Sequence, residues 1–161
     1  MNPSPNLILG EFTRALDDRF RLSLPPELTE TLQSDSQEVI LAKERPGCLS
    51  LWNVRDWQSK WDAGVQLLNA KLQAGKLEGR MVETQLLGRL LSSRQRTVQL
   101  AQRGRLLIPE GFREFLRVEA GGEVMVIGAA VCVEIWNPRA WLRHLDRRMP
   151  RFTRLFDELS K

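Results

Sequence analysis

The chain has 161 residues, a formal net charge of +4, two cysteines and one histidine. This length allows one sizeable hydrophobic core or two small ones, and no apolar run approaches the roughly 18 residues that a membrane-spanning helix needs. The N-terminus lacks the basic start and long apolar run of a secretory signal.

The first part of the chain is predicted to alternate short strands with one short helix. Leu22-Ser23-Leu24 has the two-residue period of a half-buried strand, and a proline such as Pro26 suits the first turn of a helix. The predicted elements are strands at 11–16 and 21–24, a helix at 26–32, and a hairpin with strands at 39–42 and 49–52.

Two longer helices are predicted in the middle of the chain. The first ends near Gly75 and carries one apolar stripe, made of Trp57, Trp61, Val65, Leu68 and Leu72. The second spans 78–91, and its apolar side chains are predicted to point inward: Met81, Val82, Leu86, Leu87 and Leu90.

The last part of the chain repeats the pattern of the first. The predicted elements are strands at 97–100 and 105–108, a helix at 109–116, and hairpin strands at 124–128 and 131–136. Asn137 and Pro138 then begin a helix that Pro150 interrupts. A final amphipathic helix packs either on the core of its own chain or on a neighbouring subunit through Phe152, Leu155, Phe156 and Leu159.

An internal repeat relates the two parts. A shift of 84 positions, applied without a gap, makes 13 of the 45 residues between Thr13 and Trp57 identical to their counterparts. We therefore predict one structural unit built twice, with its site present in two copies. Two copies suit the binding of a repetitive partner better than they suit a single catalytic centre.

Cysteines and tryptophans recur at matching positions of the repeat. Cys48 and Cys132 form either a disulfide or a metal pair, or they are small apolar side chains that fill the same core position twice; we favour the second interpretation. The tryptophans likewise line a ligand box or belong to the core, and their helical and strand-end spacing favours the core.

The residues that catalysis requires do not converge. His144 is predicted to lie solvated on the polar side of a helix, and the chain has no Cys-x-x-Cys motif and no phosphate-binding glycine loop. Asp17 and Asp18 correspond to Ala101 and Gln102, which excludes a duplicated metal site. We expect neither an enzyme nor a cofactor.

The positive charge concentrates in the connection between the repeats and the start of the second. Residues 76–117 hold 9 Lys/Arg against 4 Asp/Glu, and eight of the nine are arginine, which binds phosphates and guanine edges bidentately. Both repeats keep Arg-x-Arg, as Arg19 with Arg21 and Arg103 with Arg105. On extended chain the two guanidinium groups of each pair would share one face. These arginines either bind DNA or pair with nearby acids (Asp17, Asp18, Glu30), and their retention in both repeats favours DNA.

The doubled strand–turn–Arg–strand–Pro–helix unit, ending near Trp-Asn-x-x-x-Trp, resembles the MraZ family of bacterial transcriptional regulators. The resemblance implies an α+β fold of two AbrB-like swapped-hairpin units. It also implies ring oligomers that bind tandem DNA boxes upstream of the division and cell-wall gene cluster, usually as repressors. The family signature Asp-x-x-x-Arg is matched by Asp17 and Arg21, and Gly104 with Arg105 matches its second copy.

Two positions depart from the family pattern. Phe20 replaces the glycine of the first turn, and Ala101 replaces the aspartate of the second. Phenylalanine adopts the glycine conformation poorly, so either the first loop is reshaped or Phe20 contacts a thymine methyl group or a neighbouring subunit. Ala101 removes a carboxylate that would orient Arg105.

The sequence therefore predicts a cytoplasmic, nucleoid-associated regulator that binds promoter DNA as a homo-oligomer. Arg21 and Arg105 are predicted to contact bases, Arg19 and Arg103 to support them, and Asp17 to orient the first loop. The predicted units are a first repeat at 8–58, a helical connection at 59–93, a second repeat at 94–142 and a helical tail at 143–161. The alternative is an AbrB-like scaffold that binds a protein partner.

Overall fold

A computed structural model describes residues 7–33 and 37–161. The strands are β1 (Ile8–Ala15), β2 (Arg21–Ser23), β3 (Glu38–Arg45), β4 (Cys48–Asn53), β5 (Gln95–Gln99), β6 (Arg105–Leu107), β7 (Glu123–Ala130) and β8 (Val133–Trp136). The helices are α1 (Pro26–Leu32), α2 (Val54–Gln73), α3 (Met81–Arg94), α4 (Phe112–Leu116), α5 (Pro138–Arg148) and α6 (Phe152–Ser160). Short 3-10 turns occupy Gln102–Gly104 and Met149–Arg151.

The predicted strands and helices are all present, but some of them begin or end at other residues than predicted. The helix at 26–32 has the predicted bounds. The helix predicted at 109–116 begins only at Phe112, because Gly111 adopts a left-handed conformation (φ 86°) that breaks the first turn. The architecture is α+β, with antiparallel strand pairing throughout the described sheets.

The six-stranded sheet is built by exchange between the two halves of the chain. Its order is β1-β7-β8-β4-β3-β5, and β2 pairs with β6 in a separate two-stranded ribbon. The first strand of each half thus pairs with the third strand of the other half. At the centre of the sheet Ser50 lies opposite Glu134, and in the ribbon Leu22 lies opposite Leu106. Both pairs are 84 residues apart, so an approximate twofold axis passes between them.

The ungapped register of the repeat is wrong for one strand. Thr13 pairs with Met125, while its counterpart Thr97 pairs with Ile40. Ile40 and Met125 are therefore equivalent, and they are 85 rather than 84 residues apart. The second half has one more residue before β7, and it lacks the bulge between Lys43 and Arg45 that adds one residue to β3. Polarity alone missed this shift, because both third strands are apolar on both faces.

One face of the sheet carries the main core, which the ribbon and the short helices cover. Leucine, isoleucine and valine from all eight strand regions meet there, and Leu41, Leu49, Leu106, Ile108 and Val133 are completely buried. Because strands from both halves contribute, the main core is continuous across the two halves.

The opposite face of the sheet buries both cysteines. Cys48 lies opposite Trp136, and Val133 lies opposite Leu51, which separates Cys48 from Cys132 by four ladder positions or roughly 13 Å. A disulfide between them is therefore excluded by geometry. Burial raises the pKa of Cys132 to about 12 and also raises that of Cys48. The prediction that the cysteines are apolar core residues is confirmed.

Glu134 shares this face, and the Trp136 indole Nε1 donates to its Oε1 at 3.0 Å. Burial raises the pKa of the Glu134 carboxyl, and the nearby Glu44 carboxylate raises it further.

Because the folded state holds this proton more tightly than the unfolded state, we expect the free energy of unfolding to fall as pH rises. The fall should occupy the window between the ordinary glutamate pKa and the raised pKa of Glu134. In Glu134→Gln, whose side chain still accepts from Trp136, that part of the pH dependence should disappear. Urea unfolding across pH measures it, with Glu110→Gln at the exposed surface as the charge-matched control. Parallel pH profiles for Glu134→Gln and the wild type would contradict the assignment.

The long helices leave much apolar surface uncovered. The prediction that the α3 side chains point inward is wrong, since Met81, Val82, Leu86, Leu87 and Leu90 are all exposed. The apolar residues of α6 are also exposed, so α6 does not pack on the core of its own chain. Among the described residues, no helix combines the length and hydrophobicity needed to cross a membrane.

His144 differs from its predicted solvated position. Its ring lies against the Trp136 ring, with 4.9 Å between centroids, and stacks on Trp141 at 6.0 Å. Arg45 approaches its Nδ1 at 3.3 Å. Burial and then the positive charge of Arg45 lower the pKa of His144, which favours the neutral ring. The histidine is thus a packing residue of α5.

Candidate nucleic-acid interface

The two-stranded ribbon brings the second arginine of each repeat to one surface. Ser23 of β2 lies directly opposite Arg105 of β6. Since strand side chains alternate, Arg21, Ser23 and Arg105 share the outward face, while Leu22 and Leu106 are buried beneath it. One surface pocket of about 230 Å³ is bordered by Asp17, Arg21, Ser23 and Arg105.

Asp17 fixes the first turn. Its Oδ1 accepts the backbone N–H groups of Arg19 at 2.8 Å and Arg21 at 2.9 Å, and its Oδ2 accepts Nε of Arg21 at 2.8 Å. The hydrogen bond from the Arg21 backbone is the main cause that lowers the pKa of Asp17, and the Arg19 backbone and the Arg21 side chain add to it. Asp17 therefore holds both the turn and the Arg21 guanidinium.

The first arginine of each pair does not lie on extended chain, so the predicted shared face within each Arg-x-Arg is wrong. Arg19 is in the turn between β1 and β2, and Arg103 is left-handed (φ 64°) inside a 3-10 turn. Both side chains are exposed at the ends of the ribbon. The structure thus groups Arg21 with Arg105, one from each half, with Arg19 and Arg103 on the flanking turns.

The second turn lacks the anchor of the first. Ala101 occupies the position of Asp17, and only the backbone bond from its N–H to the Arg105 carbonyl, at 2.9 Å, is retained. Arg105 has no hydrogen-bonded or ion-paired side-chain partner within residues 7–33 and 37–161. The two outward arginines therefore differ: Arg21 is held in place, and Arg105 is free to adapt.

Phe20 takes the conformation of the glycine that it replaces. Its φ is 60°, close to the 66° of its counterpart Gly104. Matching backbone bonds join the halves here, from Leu24 N–H to the Gly104 carbonyl and from Ile108 N–H to the Phe20 carbonyl, both at 3.0 Å. The Phe20 ring packs against the core, which offsets the cost of about 1 to 2 kcal/mol for a left-handed residue.

Sequence reasoning missed two residues of this region. Arg113 lies 4.5 Å above the Phe20 ring and donates from Nε to the Ile108 carbonyl at 2.6 Å, so it braces the end of the ribbon. Ser23 faces outward between the arginines. Its position two residues after Arg21 in a strand was a usable signal, whereas no sequence pattern connects Arg113 with Phe20.

The outward surface of the ribbon offers mainly cationic hydrogen-bond donors, the guanidinium groups of its arginines. Within the described part of the chain, no group of three or more His, Cys, Asp or Glu side chains is placed to hold a metal ion. The Asp17 carboxylate is already engaged by three N–H donors. Forked arginines on a two-stranded ribbon suit phosphates and the acceptor edges of bases.

Comparison with known proteins identifies relatives over most of the chain. The family model described as "MraZ protein, putative antitoxin-like" matches residues 93–158. A Heliobacterium modesticaldum protein named transcriptional regulator MraZ is 26% identical over 153 residues, which cover 95% of this chain and 96% of the relative. A Roseiflexus castenholzii protein of the same name is 29% identical over 156 residues, with 95% and 99% covered. These names agree with the expectation that the chain is not an enzyme. Over most of its length the chain is thus similar to proteins of the MraZ family.

Proposed function

We propose that this regulator of transcription acts by binding double-stranded DNA through the β2–β6 ribbon. The names of its relatives support a role in transcription. The observation that carries the proposal is the grouping of Arg21 and Arg105, contributed by the two halves of the chain, on one outward face. A β-ribbon of this width fits the major groove of DNA.

In this proposal the arginines have different roles. Arg21 and Arg105 point away from the core and pair with the O6 and N7 acceptors of guanine. Arg19 and Arg103, at the two ends of the ribbon, bind phosphates or flanking bases. Asp17 does not touch DNA and orients Arg21.

The wider proposal concerns assembly and target. The halves at 8–58 and 94–142 are AbrB-like units joined by the helical connection at 59–93, and the tail is 143–161. Several copies form a ring oligomer, so that their ribbons bind tandem promoter boxes with combined affinity. The protein is then a cytoplasmic, nucleoid-associated repressor of the division and cell-wall gene cluster.

The test is fluorescence anisotropy on DNA from upstream of the protein's own gene cluster, compared with shuffled DNA across a salt series. We expect the wild type to prefer the upstream DNA and to lose affinity steeply with salt, because phosphate contacts release counterions. In Arg21→Ala with Arg105→Ala, each lost base contact should cost about 1 to 3 kcal/mol of binding free energy and relax the sequence preference.

The control is a double variant of two exposed arginines away from the ribbon, Arg89→Ala with Arg143→Ala. It removes the same charge and should keep the preference for upstream DNA. Equal, sequence-independent binding by the wild type and the ribbon variant would overturn the proposal. It would favour the scaffold that binds a protein partner.

A further inference from the structure

The two outward arginines of the ribbon correspond under the repeat, but their guanidinium groups are held differently. Arg21 is partly buried, and its Nε donates to Asp17 Oδ2 at 2.8 Å. Arg105 is exposed, and Ala101 stands where the first half has Asp17. An arginine that is fixed before binding presents its N–H groups in one direction, whereas a free arginine samples many. The ribbon therefore carries one fixed and one mobile guanidinium group.

We propose that the two ends of the ribbon discriminate unequally between bases, so that the Arg21 end requires guanine and the Arg105 end tolerates other bases. This inference rests on the proposed function and concerns how the same ribbon selects its DNA sequence. The site of one copy then contains a strict half and a tolerant half. Because the halves of the chain are otherwise related by an approximate twofold axis, this difference also fixes the orientation of each copy on the DNA.

Asp17 is a fixed acceptor because the turn holds its carboxylate. Its Oδ1 accepts the backbone N–H groups of Arg19 and Arg21 at 2.8 and 2.9 Å, which keeps the carboxylate beside the ribbon. With its Nε engaged, Arg21 keeps its two terminal nitrogens as donors, and two parallel donors match the O6 and N7 acceptors of guanine. Any other base leaves at least one of these donors without an acceptor, so the Arg21 end discriminates strictly.

Arg105 lacks such an acceptor. Its side chain makes no hydrogen bond and no ion pair within residues 7–33 and 37–161, and Ala101 offers no carboxylate. A free guanidinium group loses its rotamer freedom only when it binds DNA, and it reaches phosphate oxygens as well as base edges. Arg105 can therefore exchange a guanine contact for a phosphate contact, which makes its end tolerant.

The residues beside the two arginines differ in the same sense. Across the ribbon, Arg21 lies opposite Leu107, and Arg105 lies opposite Ser23. Opposed side chains on one face have their Cβ atoms about 4.5 to 5.5 Å apart, so each arginine shares its stretch of the groove with its neighbour. Leu107 is exposed and offers apolar contact but no hydrogen bond to a base. The Ser23 hydroxyl donates or accepts, so it accommodates different bases.

Selection from a pool of DNA duplexes with a random central segment measures the base preference at every position. The wild type should show one strongly preferred guanine, which Arg21→Ala abolishes, and one weaker preference, which Arg105→Ala abolishes. In Asp17→Asn the amide oxygen still accepts backbone N–H groups, but Arg21 loses its anchor. The strong preference should then fall about 2- to 10-fold, which corresponds to the ordering of one long side chain.

A second variant tests the other end of the ribbon. Ala101→Asp adds a carboxylate at an exposed position without disturbing the core, and it should raise the weaker preference by a similar factor. Combining it with Asp17→Asn should exchange the strict and tolerant positions. The control is Asp18→Asn, which removes the same charge one residue away. Asp18 is exposed and its side chain has no partner in the described part of the chain, so the preferences should stay as in the wild type.

Two results would overturn the inference and leave the proposed function standing. The first is an equal preference at the two guanine positions in the wild type. The second is a change at every position alike in Asp17→Asn and Ala101→Asp, which would indicate a merely structural role for these residues. Binding without any base preference in the wild type would overturn the proposed function as well, so the two failures are distinguishable.

Discussion

In Leu106→Ala, we expect the free energy of unfolding to fall by about 2 to 5 kcal/mol. Leu106 is 0% exposed and pairs with Leu22 at the twofold axis of the ribbon, where side chains from both halves meet. Removing its methyl groups leaves a cavity under the outward arginines that neither strand can close. Urea unfolding at a fixed protein concentration measures the loss, since assembly would make stability depend on concentration.

The neighbouring residue supplies the control. Leu107 lies one position further along the same strand and is 50% exposed, because the alternation turns it outward. In Leu107→Ala the free energy of unfolding should change by no more than about 0.5 kcal/mol. Equal losses in the two variants would show that the ribbon does not present its faces as described, and the arginine interface would fall with it.

In Trp136→Ala, the expected loss is about 3 to 5 kcal/mol. The Trp136 ring is 2% exposed and contacts Trp141 and His144, with centroids 5.2 Å and 4.9 Å away. Its indole also donates to Glu134, so the substitution leaves a half-buried carboxyl group without that donor. Urea unfolding at a fixed protein concentration measures this loss as well.

Trp52 is the matched comparison, because it is the counterpart of Trp136 under the 84-residue offset. It is only half-buried, and its indole donates to the Ser50 hydroxyl at 2.8 Å. Trp52→Ala should therefore cost less than Trp136→Ala. A larger loss of unfolding free energy in Trp52→Ala would contradict the structure, in which Trp136 is the more deeply buried of the two.

Much of the fold could be predicted from the sequence, because local signals were strong. Alternation in Leu22-Ser23-Leu24 located β2, and the prolines and Asn137 located the starts of α1 and α5. Pairing between distant strands is a tertiary property, so the exchange of β1 and β5 between the halves was not derivable from spacing. The orientation of α3 also failed, because an apolar helix is equally consistent with a core and with an uncovered surface.

The candidate site was predictable in its residues but not in its geometry. Repetition pointed to Arg21 and Arg105, and both lie on the outward face of the ribbon. Arg19 and Arg103 were misplaced because the prediction treated their turns as extended chain. In the structure, Arg19 lies in a turn and Arg103 has a left-handed backbone. The contact of Arg113 with Phe20 joins residues 93 positions apart and leaves no periodic trace.

The exchange of strands also sets the order in which the chain can fold during synthesis. β1 is made first, but its ladder partner β7 lies more than 100 residues later. Until the ribosome has released the second half, β1 has no native partner, and the apolar edge of β3 is open as well. Such an edge is a template for pairing with the wrong chain. We therefore expect a ribosome that stalls between the halves to leave an intermediate with open strand edges that is prone to aggregation.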